Sequence, residues 1–136
     1  MTGRVQMNNK AKQMKFLVYQ ILLSERIHNE VNRLDSHAAA ARIFPEYKAS
    51  LDVTMGKYDN SYLKYYTHVC TIDANDLEQV FEVGNIGPEH RIERHSPMHS
   101  LSVGDLVRDA DGVLHLCASM GWKIVHMENT PYWVAA

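Results

Sequence analysis

The chain lacks any apolar run approaching the roughly 20 residues that a membrane-spanning helix needs. Its longest candidate, Phe16-Leu17-Val18-Tyr19-Gln20-Ile21-Leu22-Leu23, is short and interrupted by glutamine. No small-residue cleavage site follows that stretch, so it does not read as a secretory leader. Cysteine is scarce: two among 136 residues, Cys70 and Cys117, each inside an apolar, strand-like segment. That placement is no disulfide framework and leads us to expect reduced, buried thiols in a cytoplasmic protein. Also missing are internal repeats, low-complexity blocks, a phosphate-cradling glycine loop, and any CxxC, HExxH or GxSxG pattern.

These absences leave one globular domain. Splitting 136 residues would give halves too small to bury a good core. The 46% apolar content is ordinary for a folded chain and argues against general disorder. The net charge of −2 hides an asymmetry. Arg4, Lys10, Lys12 and Lys15 stand near the start with no acid among them, so the body is more acidic than the total suggests. A net-negative body is a poor match for a duplex phosphate backbone. Residues 1–13 have no apolar periodicity and read as a disordered basic arm before a domain over 14–136.

Within that domain, Phe16 to Leu23 favours a strand, being β-prone and short for a buried helix. Ser24 then caps a helical stretch with Ile27, Val31 and Leu34 on one face, and Ser36 precedes an alanine run. Pro45 discourages helix through Phe44. Residues 46–66 give no clear pattern beyond a turn near Gly56 and Asp59-Asn60. Tyr65 to Ile72 reads as a strand, and Asn75 with Glu78 has the spacing of a capping box for a helix closed by Gly84. A polar connection over residues 85–97 follows. Leu106–Arg108 and Val113–Cys117 then flank the hairpin signal Asp109-Ala110-Asp111-Gly112, and Trp122–Met127 makes a further strand. The sum is an α+β fold: a mixed or antiparallel sheet with an early strand, a helical middle and a C-terminal β-meander.

Three constellations carry candidate chemistry. His90, His95 and His99 bring three imidazoles, the nitrogen donor that zinc favours, within ten positions. Ser96-Pro97 breaks the helix that the spacing of His95 and His99 would need, so incidental histidines on a solvated loop are the simpler account. Arg91, Arg94 and His95 suit phosphate, yet glutamates stand among them and a salt-bridged loop explains them as well. His68 and His115 each lie two positions from a cysteine, on the same strand face, but nothing else activates those thiols. We expect no cofactor, no metal and no catalytic residue. The tyrosines between Tyr47 and Tyr66 supply a contact surface or core, with Tyr58, Tyr62 and Tyr65 the candidate interface residues.

The segment Met98-His99-Ser100-Leu101-Ser102-Val103-Gly104-Asp105-Leu106-Val107 resembles the YodL-like family and related phage-encoded small domains, which carry "HSLSVGD" or "HSLSVSD" before a strand. Ser119-Met120-Gly121-Trp122-Lys123-Ile124 occupies the place of that family's "FGF"-like end. Upstream, Asp76-Leu77-Glu78-Gln79-Val80-Phe81 is similar to its "DLEEVFE"-type helix, and Phe16-Leu17-Val18-Tyr19-Gln20 to its opening strand. The likeness is best over residues 65–125; residues 24–62 do not align. Read physically, the segment is fold-specifying, with Leu101 and Val103 inward, Ser102 outward and Gly104-Asp105 turning into a strand.

The resemblance implies a phage or mobile-element accessory protein that binds a host or phage macromolecule, acting as an inhibitor of host defence or host machinery in the host cytoplasm. Its partner is then a protein, and no membrane is involved. The binding surface is expected at Arg91, Arg94, His95, His99 and Ser100, a polar loop on a rigid scaffold. Two alternatives stay open: a nucleic-acid-associated phage protein, and a metal-dependent enzyme using His90, His95 and His99. Monomer and homodimer are both compatible with the sequence.

Overall fold

Val, Tyr, Phe and Ile side chains suit a pleated surface, and the run that holds them forms β1 (Met14–Ile21), the strand at the heart of the structure. The structure is a computed structural model that describes residues 13–126. Residues 1–12 of the expected basic arm and 127–136 of the expected domain lie outside the described residues. After β1 come α1 (Glu25–Leu34), α2 (His37–Ile43), α3 (Pro45–Thr54) and a 3₁₀ turn (Asn60–Tyr65). The chain continues through β2 (Tyr66–Ala74), α4 (Leu77–Asn85), a second 3₁₀ turn (Glu89–Arg91) and β3 (Ile92–Arg94). A meander of β4 (Leu106–Arg108), β5 (Leu114–Cys117) and β6 (Trp122–Val125) ends the described fold.

All six strands form one antiparallel sheet in the order β3-β2-β1-β4-β5-β6, so the fold is α+β as the sequence pattern predicts. β1 is central because it pairs along its length with β2 and on its other edge with β4. One sheet face packs Phe16, Val18, Cys70, Ile72 and Val107 against Val80 and Val83 of α4 and against Leu101. The opposite face packs Tyr19, Leu106, Leu114 and Leu116 against Leu63 of the first 3₁₀ turn. The helices α1 to α3 bury a satellite core around Ile27, Ala40 and Tyr47. No helix of the described residues is long and apolar enough to cross a membrane.

Local chemistry sets several boundaries. The Ser24 and Ser36 hydroxyls accept from the Ile27 and Ala39 amides, each satisfying a donor that the helix start leaves free. Pro45 ends α2 and also opens α3, since the first helical position needs no N–H. That dual role hides α3 from a periodicity reading of residues 46–66. The capping box falls one residue later than expected. Asp76 accepts from the Gln79 amide, while Gln79 Oε1 accepts from the Asn75 amide, both at 2.8 Å.

Gly84 does not stop α4. The helix runs to Asn85, and Gly87, at φ +109°, takes the left-handed position beyond it. Gly84 instead admits a neighbour: a Cβ there would lie 2.4 Å from Leu101 Cδ1. The β1–β2 register slips between Val18↔Cys70 and Tyr19↔His68, leaving Val69 as the extra residue of a bulge. His68 and Cys70 therefore do not share a face. Cys70 joins the α4 side, while His68 sits beside Thr71 and Tyr19.

Candidate functional site

The polar connection after α4 is held from below by β1. Gln20 is fully buried, and its amide bonds to both backbone groups of His99: Nε2 donates to His99 O at 2.9 Å, and Oε1 accepts from His99 N at 3.2 Å. The same Nε2 donates to Asp105 Oδ2 at 2.9 Å, and that oxygen also accepts from the Ser102 amide. Asp105 is 4% exposed, and burial pushes its carboxyl up to about 6, against the pull of the Ser102 amide, the Gln20 amide and nearby His99. Gly104, at φ +97°, lies against the Val53 backbone, where a Cβ would come within 3.0 Å of its carbonyl carbon. Its carbonyl accepts from the Tyr66 hydroxyl, and its amide donates to Cys117 O. The segment from His99 to Asp105 is thus anchored through buried Gln20, Gly104 and Asp105 to β1, β2, α3 and β5.

That hub fixes one wall of a cleft of about 230 Å³. The other wall is the last turn of α4, from Val83 to Gly87, and Arg94, His99 and Ser100 complete it. Three of the five expected binding residues therefore do line one cavity. Arg94 is not free there. Its Nε and Nη2 donate to the two Glu89 carboxylate oxygens at 2.7 and 2.9 Å, and this bond holds the Glu89 carboxyl below the usual range. Both side chains are largely exposed, so the pair orients the loop more than it stabilises the fold. His99 Nδ1 lies 2.8 Å from Ser100 O. A carbonyl only accepts, so Nδ1 carries the proton and donates there. At the end of α4, Ile86 is 85% exposed.

The other two residues go elsewhere. His95 turns to the opposite side of β2, its ring 4.6 Å from that of His68, and Thr71 Oγ1 meets both Nε2 atoms, at 3.0 and 3.3 Å. Burial, then the neighbouring His95, hold His68 below the ordinary histidine range. Arg91 is half-buried in its 3₁₀ turn and does not line the cleft. His90, His95 and His99 do not converge, and no group of three or more His, Cys, Asp or Glu among the described residues is placed to hold a metal ion. The cysteines are buried, and desolvation pushes Cys70 up to about 12 and Cys117 to about 11, the signature of packing thiols.

No family model, curated protein or solved structure matches this chain. The tyrosines find a packing role: Tyr58, Tyr62 and Tyr65 lie half-buried against Ile21, Ala49 and Val53. Tyr62 donates to Asp52 and Lys48 donates to Tyr62, an arrangement that ties the 3₁₀ turn to α3.

The most consequential residues missed by the sequence reading are Gln20 and the full role of Asp105. One signal was present, a single glutamine within an apolar strand. Its partners stand 79 and 85 positions away, beyond any local pattern. The arrangement offers an exposed aliphatic side chain, an imidazole and an oriented ion pair on a rigid base. It brings together no nucleophile with a base.

Proposed function

We propose that the chain is a protein-binding accessory module whose contact surface is the cleft between the end of α4 and His99-Ser100. The observation that carries this reading is Ile86, an aliphatic side chain 85% exposed beside a cleft walled by Arg94, His99 and Ser100. An apolar anchor bordered by polar groups is the anatomy of a protein interface. The buried Gln20 amide pre-organises the loop, which reduces the ordering cost on binding. The resemblance of residues 98–107 to the YodL-like family supports a phage or mobile-element setting, in which the partner is a host or phage protein. A host-inhibitory role follows from that setting alone. Nucleic acid is disfavoured as partner because Arg94 is engaged by Glu89 within an acidic body.

The test is capture of a partner from host lysate on the full-length chain, compared with Ile86→Glu and with Arg94→Ala. Both changes fall on exposed side chains, so the fold is retained and checked by circular dichroism. Loss of the captured protein with either variant supports the site. Retention by both, at unchanged yield, refutes it.

A further inference from the structure

The helix α4 covers the sheet face over β1 and β2 but leaves the same face open over β5 and β6. Two adjoining cavities of about 490 and 370 Å³ lie there, sharing Glu78 and Trp122. Together they form one groove. Phe16, Trp122 and His115 contribute to its sheet side, and Leu77 and Phe81 form the α4 side. Phe81 is 40% exposed, and Ile124, two residues along β6 from Trp122 and so on its face, is 59% exposed. Clustered apolar surface of this kind marks an interaction site more often than a bare exterior.

The charged side chains that line it among the described residues are acidic. Asp76 and Glu78 stand at the start of α4, and Asp109 and Asp111 approach from the β4–β5 hairpin. Among the described residues, no lysine or arginine lines either cavity. Among the described lining residues the one basic-type side chain is His115, and its Nε2 lies 2.9 Å from Asp109 Oδ2. Burial alone would raise the Asp109 carboxyl, yet His115 and the Val113 and Asp111 amides outweigh it and keep the group ionised.

We propose that this groove binds a cationic peptide segment of a partner protein, with an aromatic or aliphatic anchor seated on Trp122 and Phe81 and flanking Lys or Arg side chains meeting the acidic rim. Charge decides among the occupants. A nucleic-acid strand or an acidic peptide meets four carboxylates and, among the described lining residues, no lysine or arginine. A second copy docked by a two-fold axis would set the same acidic rim against itself. The groove lies at the beginning of α4 and the cleft proposed above at its end, so the two surfaces are separable.

The experiment uses fluorescence anisotropy of the full-length protein with a short labelled peptide alternating lysine and leucine around one tryptophan. A glutamate-for-lysine counterpart is the control. Expected are saturable binding of the basic peptide, weakening with salt, and loss of more than about tenfold in affinity with the Glu78→Lys, Asp111→Lys double variant or with Phe81→Ala. Glu78 and Asp111 are exposed, so the charge variant folds, and Arg94→Ala is expected to leave binding unchanged. The proposal is overturned if the acidic peptide binds as well as the basic one, or if the charge variant binds undiminished. It also falls if sedimentation shows a dimer that Phe81→Ala dissolves, which would make the groove a self-interface. Affinity that rises on deleting residues 1–12 would give the groove to the chain's own basic segment and likewise overturn it.

Discussion

Replacing Asp105 by asparagine is expected to stabilise the protein near neutral pH and to change little near pH 4. The carboxyl is 4% exposed and is pushed from 3.8 to about 6 by burial. A folded-state value above the unfolded one means that the folded chain holds its proton more tightly. Stability from this group is therefore fully present below about pH 4 and is lost as pH rises through about 6. At about 1.4 kcal/mol per unit, the difference amounts to about 3 kcal/mol between the two limits. Asparagine keeps an oxygen that can accept from the Ser102 amide and Gln20 Nε2, and it carries no charge to desolvate. Urea unfolding of both proteins across this pH range is the assay, with the wild-type-minus-variant difference cancelling every other titration. The difference should move by about 2–3 kcal/mol in favour of the variant as pH rises. A difference that stays flat, or a variant that is weaker throughout, would show that the ionised carboxylate is compensated where it stands.

Two further outcomes follow from the packing. Gly84→Ala should destabilise by about 1–2 kcal/mol, because overpacking against buried Leu101 outweighs the roughly 1 kcal/mol that alanine adds to helix propensity. Adding Leu101→Ala should make the pair less than additive, and a raised Tm for Gly84→Ala alone would contradict the close approach. His68, held low by burial and then by His95, should titrate by NMR below 6.5 and withdraw stability as pH falls through the ordinary histidine range. His68→Gln should remove that acid-side loss, and an unshifted His68 midpoint would count against the close His68–His95 pair.

Much of the fold was legible because it is written in short-range chemistry. A serine three positions before an amide it can cap, an Asp-Gly turn between apolar runs, and a β-branched opening strand each act within a few residues. The polar segment after α4 was legible as a candidate surface for the same reason, and Arg94, His99 and Ser100 do meet in one cleft. Where reading failed, the cause is identifiable. Pro45 serves two helices, and α3 lies behind it. One extra residue at Val69 redirects every side-chain parity count around it, which separates His68 from Cys70.

Residue order alone specifies an α+β chain with an early strand, serine-led helices, a closing meander and an acidic body. Propensity, capping and charge balance depend on residue type and near neighbours, and the sequence contains all of these. Closure of the fold is what lets Gln20 grip His99 and Asp105, makes Gly84 leave room for Leu101, and gives Arg94 to Glu89. It alone opened the acidic groove beside α4. These features depend on which surfaces meet when β1 becomes the central strand. Burial, and with it the cost of a buried carboxylate or a crowded methyl, has no value until the chain has closed around it.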